Sequence, residues 1–174
     1  MIRQVTLSTF LLFSGLAAAH ESSPKIDVPA SASAAATVVD RFFAALTSED
    51  LVQASAQLDP NVVILESGGA EHSAAEYLGG HAKGDAQFLK GSRHVLNRRT
   101  AWATGDLAWI ASESELRVEK DGKPSTVAST ETMALRSGKD GWKIVHIHWS
   151  SRVKNPANPI DARSRNVRSN RDSR

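Results

Sequence analysis

The 174-residue chain contains no cysteine, one tyrosine and two methionines. Without cysteine there is no disulfide, no thiolate nucleophile and no zinc–thiolate centre. Any metal would have to be held by histidine and carboxylate. Long apolar runs are also scarce. The one near the start, Val5 to Leu16, is too short to span a bilayer, and it lies between Arg3 and the small residues Ala17-Ala18-Ala19. That arrangement fits a secretory signal peptide over residues 1–19, cut before His20. The expected mature protein is periplasmic or secreted and has no transmembrane segment after cleavage. Gly-x-Ser-x-Gly, P-loop, dinucleotide and His-Glu-x-x-His motifs are all missing. Serine hydrolase, NTPase, Rossmann oxidoreductase and zincin readings therefore find no support.

The formal net charge is only +2, and its basic part is concentrated at the C-terminus. Residues 153–174 carry six Lys and Arg against two Asp, among Asn-Pro pairs and serines. This composition predicts a solvated, disordered basic tail rather than a nucleic-acid-binding domain. Residues 20–32, rich in Ser, Pro and Ala, are expected to form a linker. The single domain then spans 33–152.

Within that domain Val38, Val39, Phe42, Phe43 and Leu46 fall at helical spacing, with Ser33 as the expected cap. A second short helix is expected from Glu49, capped by Ser48 and stopped by Asp59-Pro60. Asn61 to Ser67 has strand character, Gly68-Gly69 a turn, and Ala70-Glu71-His72 a short return. Ser73 then caps a third helix over Ala74 to Lys90, weakened by Gly79, Gly80 and Gly84, each costing about 1 kcal/mol in a helix interior. Four strands close the chain: Arg93 to Ala103, Leu107 to Glu119, Ser125 to Arg136, and Trp142 to Arg152. Their short Gly-containing loops imply antiparallel hairpins. The order predicts an α+β fold, a curved antiparallel sheet with helices on one face.

The last strand, Trp142-Lys143-Ile144-Val145-His146-Ile147-His148-Trp149-Ser150, is the most informative stretch. Alternation places Val145, Ile147 and Trp149 on one face and Ile144, His146, His148 and Ser150 on the other. Asp140-Gly141-Trp142-Lys143-Ile144-Val145-His146 leading into it, and the Val38–Phe43 helix followed by a short helix ending in Asp59-Pro60, resemble the NTF2-like superfamily. Within it the chain is similar to SnoaL-like and DUF4440-type proteins over about residues 35–152. The resemblance implies a cone-shaped barrel with a pocket at its open end, and a homodimer formed through the sheet. It implies no single activity, because members include isomerases, cyclases, dehydratases, binders and scaffolds.

The candidate site is read from the residues. Leu78, His81, Ala82, Asp85, Phe88 and Leu89 form a helical stripe, with Tyr77 beside it and two ionisable groups in its middle. Glu131 lies among apolar neighbours on its strand, and register decides whether it meets His146 and His148 or Ile147 and Trp149. His81, Asp85, Glu131 and His148 are the candidate catalytic groups. Glu66, Tyr77, His146, Ser150 and Arg152 are candidate ligand contacts. His81, Asp85, His146 and His148 form a candidate N/O donor set, so a divalent metal is the one cofactor these residues could hold. Three functions compete: a pocket that binds a small molecule without turnover, an acid–base isomerase, cyclase or dehydratase, and a divalent-metal-binding protein.

Overall fold

A computed structural model describes residues 23–120 and 122–155; the expected signal peptide and most of the basic tail lie outside them. The helices are α1 (Ser33–Thr47), α2 (Leu51–Gln57), α3 (Ala74–Gly79) and α4 (Ala82–Lys90). The strands are β1 (Lys25–Asp27), β2 (Leu58–Glu66), β3 (Gly69–Glu71), β4 (Arg93–Thr104), β5 (Leu107–Lys120), β6 (Lys123–Gly138) and β7 (Gly141–Val153). They form one sheet in the order β1-β4-β5-β6-β7-β2-β3. The α+β architecture is as expected, with helices lying in the hollow of a curved sheet.

Three details depart from the sequence expectation. The sheet is mixed: β2 runs parallel to β7, and β1 runs parallel to β4. Strand β1 and a 3-10 turn at Ala30–Ala32 fall in the segment expected to be a linker. Asp59-Pro60 belongs to β2 rather than ending a helix, and α2 is capped by Asp50, whose carboxylate accepts from the backbone N–H of Gln53 at 3.0 Å.

The third helix is broken in two. Gly80 leaves the helical region at φ −119° and ψ −101°, so α3 and α4 meet at Gly79-Gly80-His81. Two consecutive residues without a Cβ make this the cheapest place to bend. The start of α3 follows the sequence closely: Ser73 Oγ accepts from the N–H of Glu76, whose carboxylate accepts from the N–H of His72. This is a capping arrangement that satisfies otherwise orphaned donors.

The core lies between α1 and the concave face of the sheet. Val39, Phe42 and Leu46 of α1 are buried, as are Ile110 of β5, Met133 and Leu135 of β6, and Ile147 of β7. Leu135 pairs with Ile144, but its neighbour Ala134 pairs with His146, so Val145 is an extra residue in β7. This bulge turns Ile144 into the core although it shares the parity of His146. Among the described residues no helix is long and apolar enough to cross a membrane.

Candidate functional site

Strand register places the concave side chains in rows. One row runs Arg99–Ser112–Glu131–Trp149 across β4, β5, β6 and β7, and Glu66 of β2 lies opposite Trp149. The next row is Leu96–Ser114–Ser129–Ser151. Phe43 of α1 and Phe88 and Leu89 of α4 face these rows across a cleft of about 540 Å³ including its open mouth. Trp149 anchors the inner end. Its ring stacks on Phe42 at 6.1 Å and meets Phe43 edge-on at 6.3 Å, and its Nε1–H donates to Glu131 at 3.0 Å.

Glu131 is buried. Burial raises its pKa above the ordinary 4.5, while hydrogen bonds from Trp149 and Ser112 and the charge of Arg99 oppose the rise. Arg99 is itself buried; it donates to Ser112 Oγ at 3.2 Å and forms an ion pair with Asp40 of α1. A raised carboxyl pKa means that ionisation destabilises the fold as pH climbs from the unfolded-state value to the folded one. Glu131→Gln removes that charge and keeps an oxygen for Trp149. Its melting temperature should exceed that of the wild type at neutral pH, and the gain should vanish near pH 4. Melts from pH 4 to 8 test this; a gain constant across pH would contradict it.

A second group of ionisable residues closes the α3–α4 end. Asp85 accepts from the hydroxyl of buried Tyr77 at 3.0 Å. Glu71, buried at the end of β3, is hydrogen-bonded to Nδ1 of His81. Glu66, Glu71, His81 and Asp85 surround a polar pocket of about 620 Å³ including its open mouth, and Glu66 and Asp85 also line the cleft. The pKa of Asp85 is raised by burial and partly restored by the Tyr77 hydrogen bond. Glu66 is raised by burial and by the charge of Asp85. Burial, then the neighbouring Asp85, drives the Tyr77 hydroxyl strongly upward, so it stays a proton donor. His81 is raised by its Glu71 partner.

The expected constellation is therefore only half assembled. Asp85, Glu66, Tyr77 and Glu131 lie at or beside the cleft. The His81 side chain is 71% exposed, because the helix break rotates it off the buried face, which is carried instead by Ala82, Ala86 and Leu89. His146, His148, Ser150 and Arg152 lie on the convex face, paired with Ala134, Thr132, Thr130 and Ala128. The four proposed metal ligands thus lie on two sides of the sheet, and among the described residues no three His, Asp or Glu are grouped to hold a metal ion.

Other residues complete the site. Ser151, one position from the expected Ser150, lines the cleft. His94 also lines it, stacked parallel on Phe43 at 5.4 Å; burial and the Arg99 charge lower its pKa. Its parity with Leu96 on β4 could have pointed to it. The short return after Gly68-Gly69 offers Glu71 to the pocket, and the structure buries it there against His81.

A curved sheet wrapped round helices, with an apolar cleft ending in carboxyls, defines an NTF2-like protein. Residues 35–154 match the SnoaL-like domain family, and the chain belongs to it. A solved structure from Shewanella frigidimarina NCIMB 400, provisionally named a ketosteroid isomerase, is 35% identical. The match covers 72% of this chain and 99% of that one, with a TM-score of 0.64. The CaMKII hub of S. rosetta is similar at 25% identity, covering 72% and 100% of the two chains, with a TM-score of 0.58. A fold likeness alone, at 17% identity and a TM-score of 0.56, extends to an NTF2-like protein from Streptomyces avermitilis provisionally named a dehydratase, covering 69% and 95% of the two chains. No curated protein matches the chain.

Proposed function

We propose that this domain binds a small, mainly apolar molecule carrying a carbonyl or hydroxyl group. One observation carries the reading: Glu66 and Asp85 belong both to the apolar cleft and to the polar pocket beside it. A ligand seated against Phe43, Phe88 and Leu89 would present its polar end to these carboxyls, the usual division of labour in small-molecule pockets. The name of the 35%-identical structure makes an unsaturated ketosteroid a suitable first probe. Calorimetric titration should give saturable one-to-one binding, abolished by Ser129→Phe, which fills the cleft. Absence of binding by ketosteroids and by other apolar ketones and alcohols would refute the reading.

Proton transfer on the bound molecule is the second reading, favoured by the adjacency of two carboxyls with raised pKa values. When two such groups share a site, one tends to hold a proton while the other is ionised. That pairing supplies an acid and a base at one pH.

We also propose a homodimer through the convex face of the sheet. Trp102 and Trp109 are directly opposed on β4 and β5 and are 55% and 40% exposed. Their row continues through Ala134, His146 and Val63, giving an aromatic band of the kind that self-association buries. Sedimentation equilibrium should find a dimer that Trp109→Lys converts to monomer. A wild-type monomer at tens of micromolar would overturn this.

A further inference from the structure

The convex face of the sheet carries two histidines with no part in the cleft. His146 is half-buried and His148 is exposed. They stand two positions apart on β7, about 7 Å along the strand, and project on the same side. Among the described residues neither makes a side-chain hydrogen bond, an ion pair or a ring contact. The residues beside them are Ala134 and Thr132 on β6 and Val63 and Leu65 on β2. Of these only Thr132 has a polar side chain, a single hydroxyl.

Strand register sets what surrounds the pair. Two rows cross the convex face side by side. One runs Trp102–Trp109–Ala134–His146, the other Thr100–Ala111–Thr132–His148. The first is bulky on β4 and β5, where both indoles are exposed; the second is shallow there. A two-fold axis lying between the rows, in the plane where two such faces meet, sets the first row of each copy over the second row of the other. The indoles then fill the space above the shallow Thr100–Ala111 end opposite. At the β7 end, His146 of each copy faces His148 of the other. This is a self-complementary, isologous contact.

Stacked sheets stand about 10 Å apart, so four imidazoles enter one space between the copies. Burying them is costly unless their nitrogens find partners, and neither row contains a carboxylate. In the next row Arg98 and Glu113 are paired with each other at 3.4 Å. Four neutral imidazoles offer nitrogen lone pairs, the donor set that a tetrahedral divalent ion of borderline softness takes at about 2.0–2.1 Å. One copy supplies only two of the donors, and among the described residues no three ligands are grouped within it.

We infer that His146 and His148 are half of a four-imidazole, zinc-type metal site that a second copy of this chain completes across the convex face. The inference rests on the convex-face dimer proposed above and adds the ion that bridges it. The site lies on the opposite side of the sheet from the cleft and its carboxyls.

The test titrates zinc chloride into the untagged full chain after removal of metal with a chelator. The wild type should take up one zinc per two chains. Zinc at about ten times its dissociation constant should tighten dimerisation about 10-fold in sedimentation equilibrium, because the ion binds only the dimer's complete site. Cobalt(II) in place of zinc should give the intense visible absorption of a tetrahedral centre. His148→Ala, at an exposed position, should keep the wild-type melting temperature and the metal-free dimer while losing zinc uptake, the cobalt absorption and the tightening. A wild-type dimer that zinc does not strengthen, zinc bound one per chain, or uptake that survives in His148→Ala overturns the shared site and leaves the dimer standing. A chain that stays monomeric with and without zinc overturns both.

Discussion

Trp149→Ala lowers the unfolding free energy by about 3–5 kcal/mol, the range for removing a large aromatic from a packed interior. Trp149 is 8% exposed and touches four aromatic or ionisable partners at once: Phe42, Phe43, Tyr77 and Glu131. Alanine opens a void that α1 cannot fill without leaving the rest of the sheet, and it strips Glu131 of a hydrogen bond. Trp149→Phe separates the two contributions. It keeps most of the ring contact and loses only the N–H donor, so its cost should be about 1–3 kcal/mol. It should also raise the Glu131 pKa further, because the Trp149 hydrogen bond opposes that rise. Urea denaturation at neutral pH measures both. An alanine variant less than about 1.5 kcal/mol below the wild type would mean that the aromatic cluster does not hold the cleft together.

The prominence of Trp149 shows what the sequence could and could not convey. Alternation in the last strand correctly put Ile147 and Trp149 opposite His146 and His148. The sequence does not say which face lines the pocket, and the histidines drew the expectation to the wrong side. In a cone of this kind the pocket is the open continuation of the core, so the face that buries Ile147 also lines the cleft. Ser151 rather than Ser150 follows from the same parity. Glu131 was recognisable as a carboxylate among apolar neighbours, and the register that hands it to Trp149 is a tertiary fact. The glycines at 79 and 80 signalled a weak helix, but not that the break would swing His81 outward while Asp85 stayed against Tyr77. The Val145 bulge, which lets Ile144 and His146 face opposite ways, has no composition signal.

If the cleft moves protons, Asp85→Asn lowers turnover of an unsaturated ketone by about 10²–10⁴-fold, the usual worth of a positioned general base. Asparagine is close in volume and can still accept from the Tyr77 hydroxyl, so the fold and the binding constant should change little. A general base works only when ionised. Burial lifts Asp85 above its ordinary 3.8, so the wild-type rate should climb with pH through that raised value, level off, and fall again where Glu66 loses its proton. Tyr77 adjusts the same limb. Its hydroxyl favours the ionised carboxylate, so Tyr77→Phe should move the climb to higher pH while leaving the plateau nearer that of the wild type. A purely structural tyrosine would lower the rate equally at every pH. Glu66 has the complementary role: the charge of Asp85 helps keep it protonated, ready to donate to the oxygen as Asp85 removes the carbon-bound proton. Glu66→Gln should therefore slow the reaction without shifting the Asp85 limb. Turnover that survives in Asp85→Asn would remove proton transfer from this end of the cleft and leave a pocket that binds without reacting.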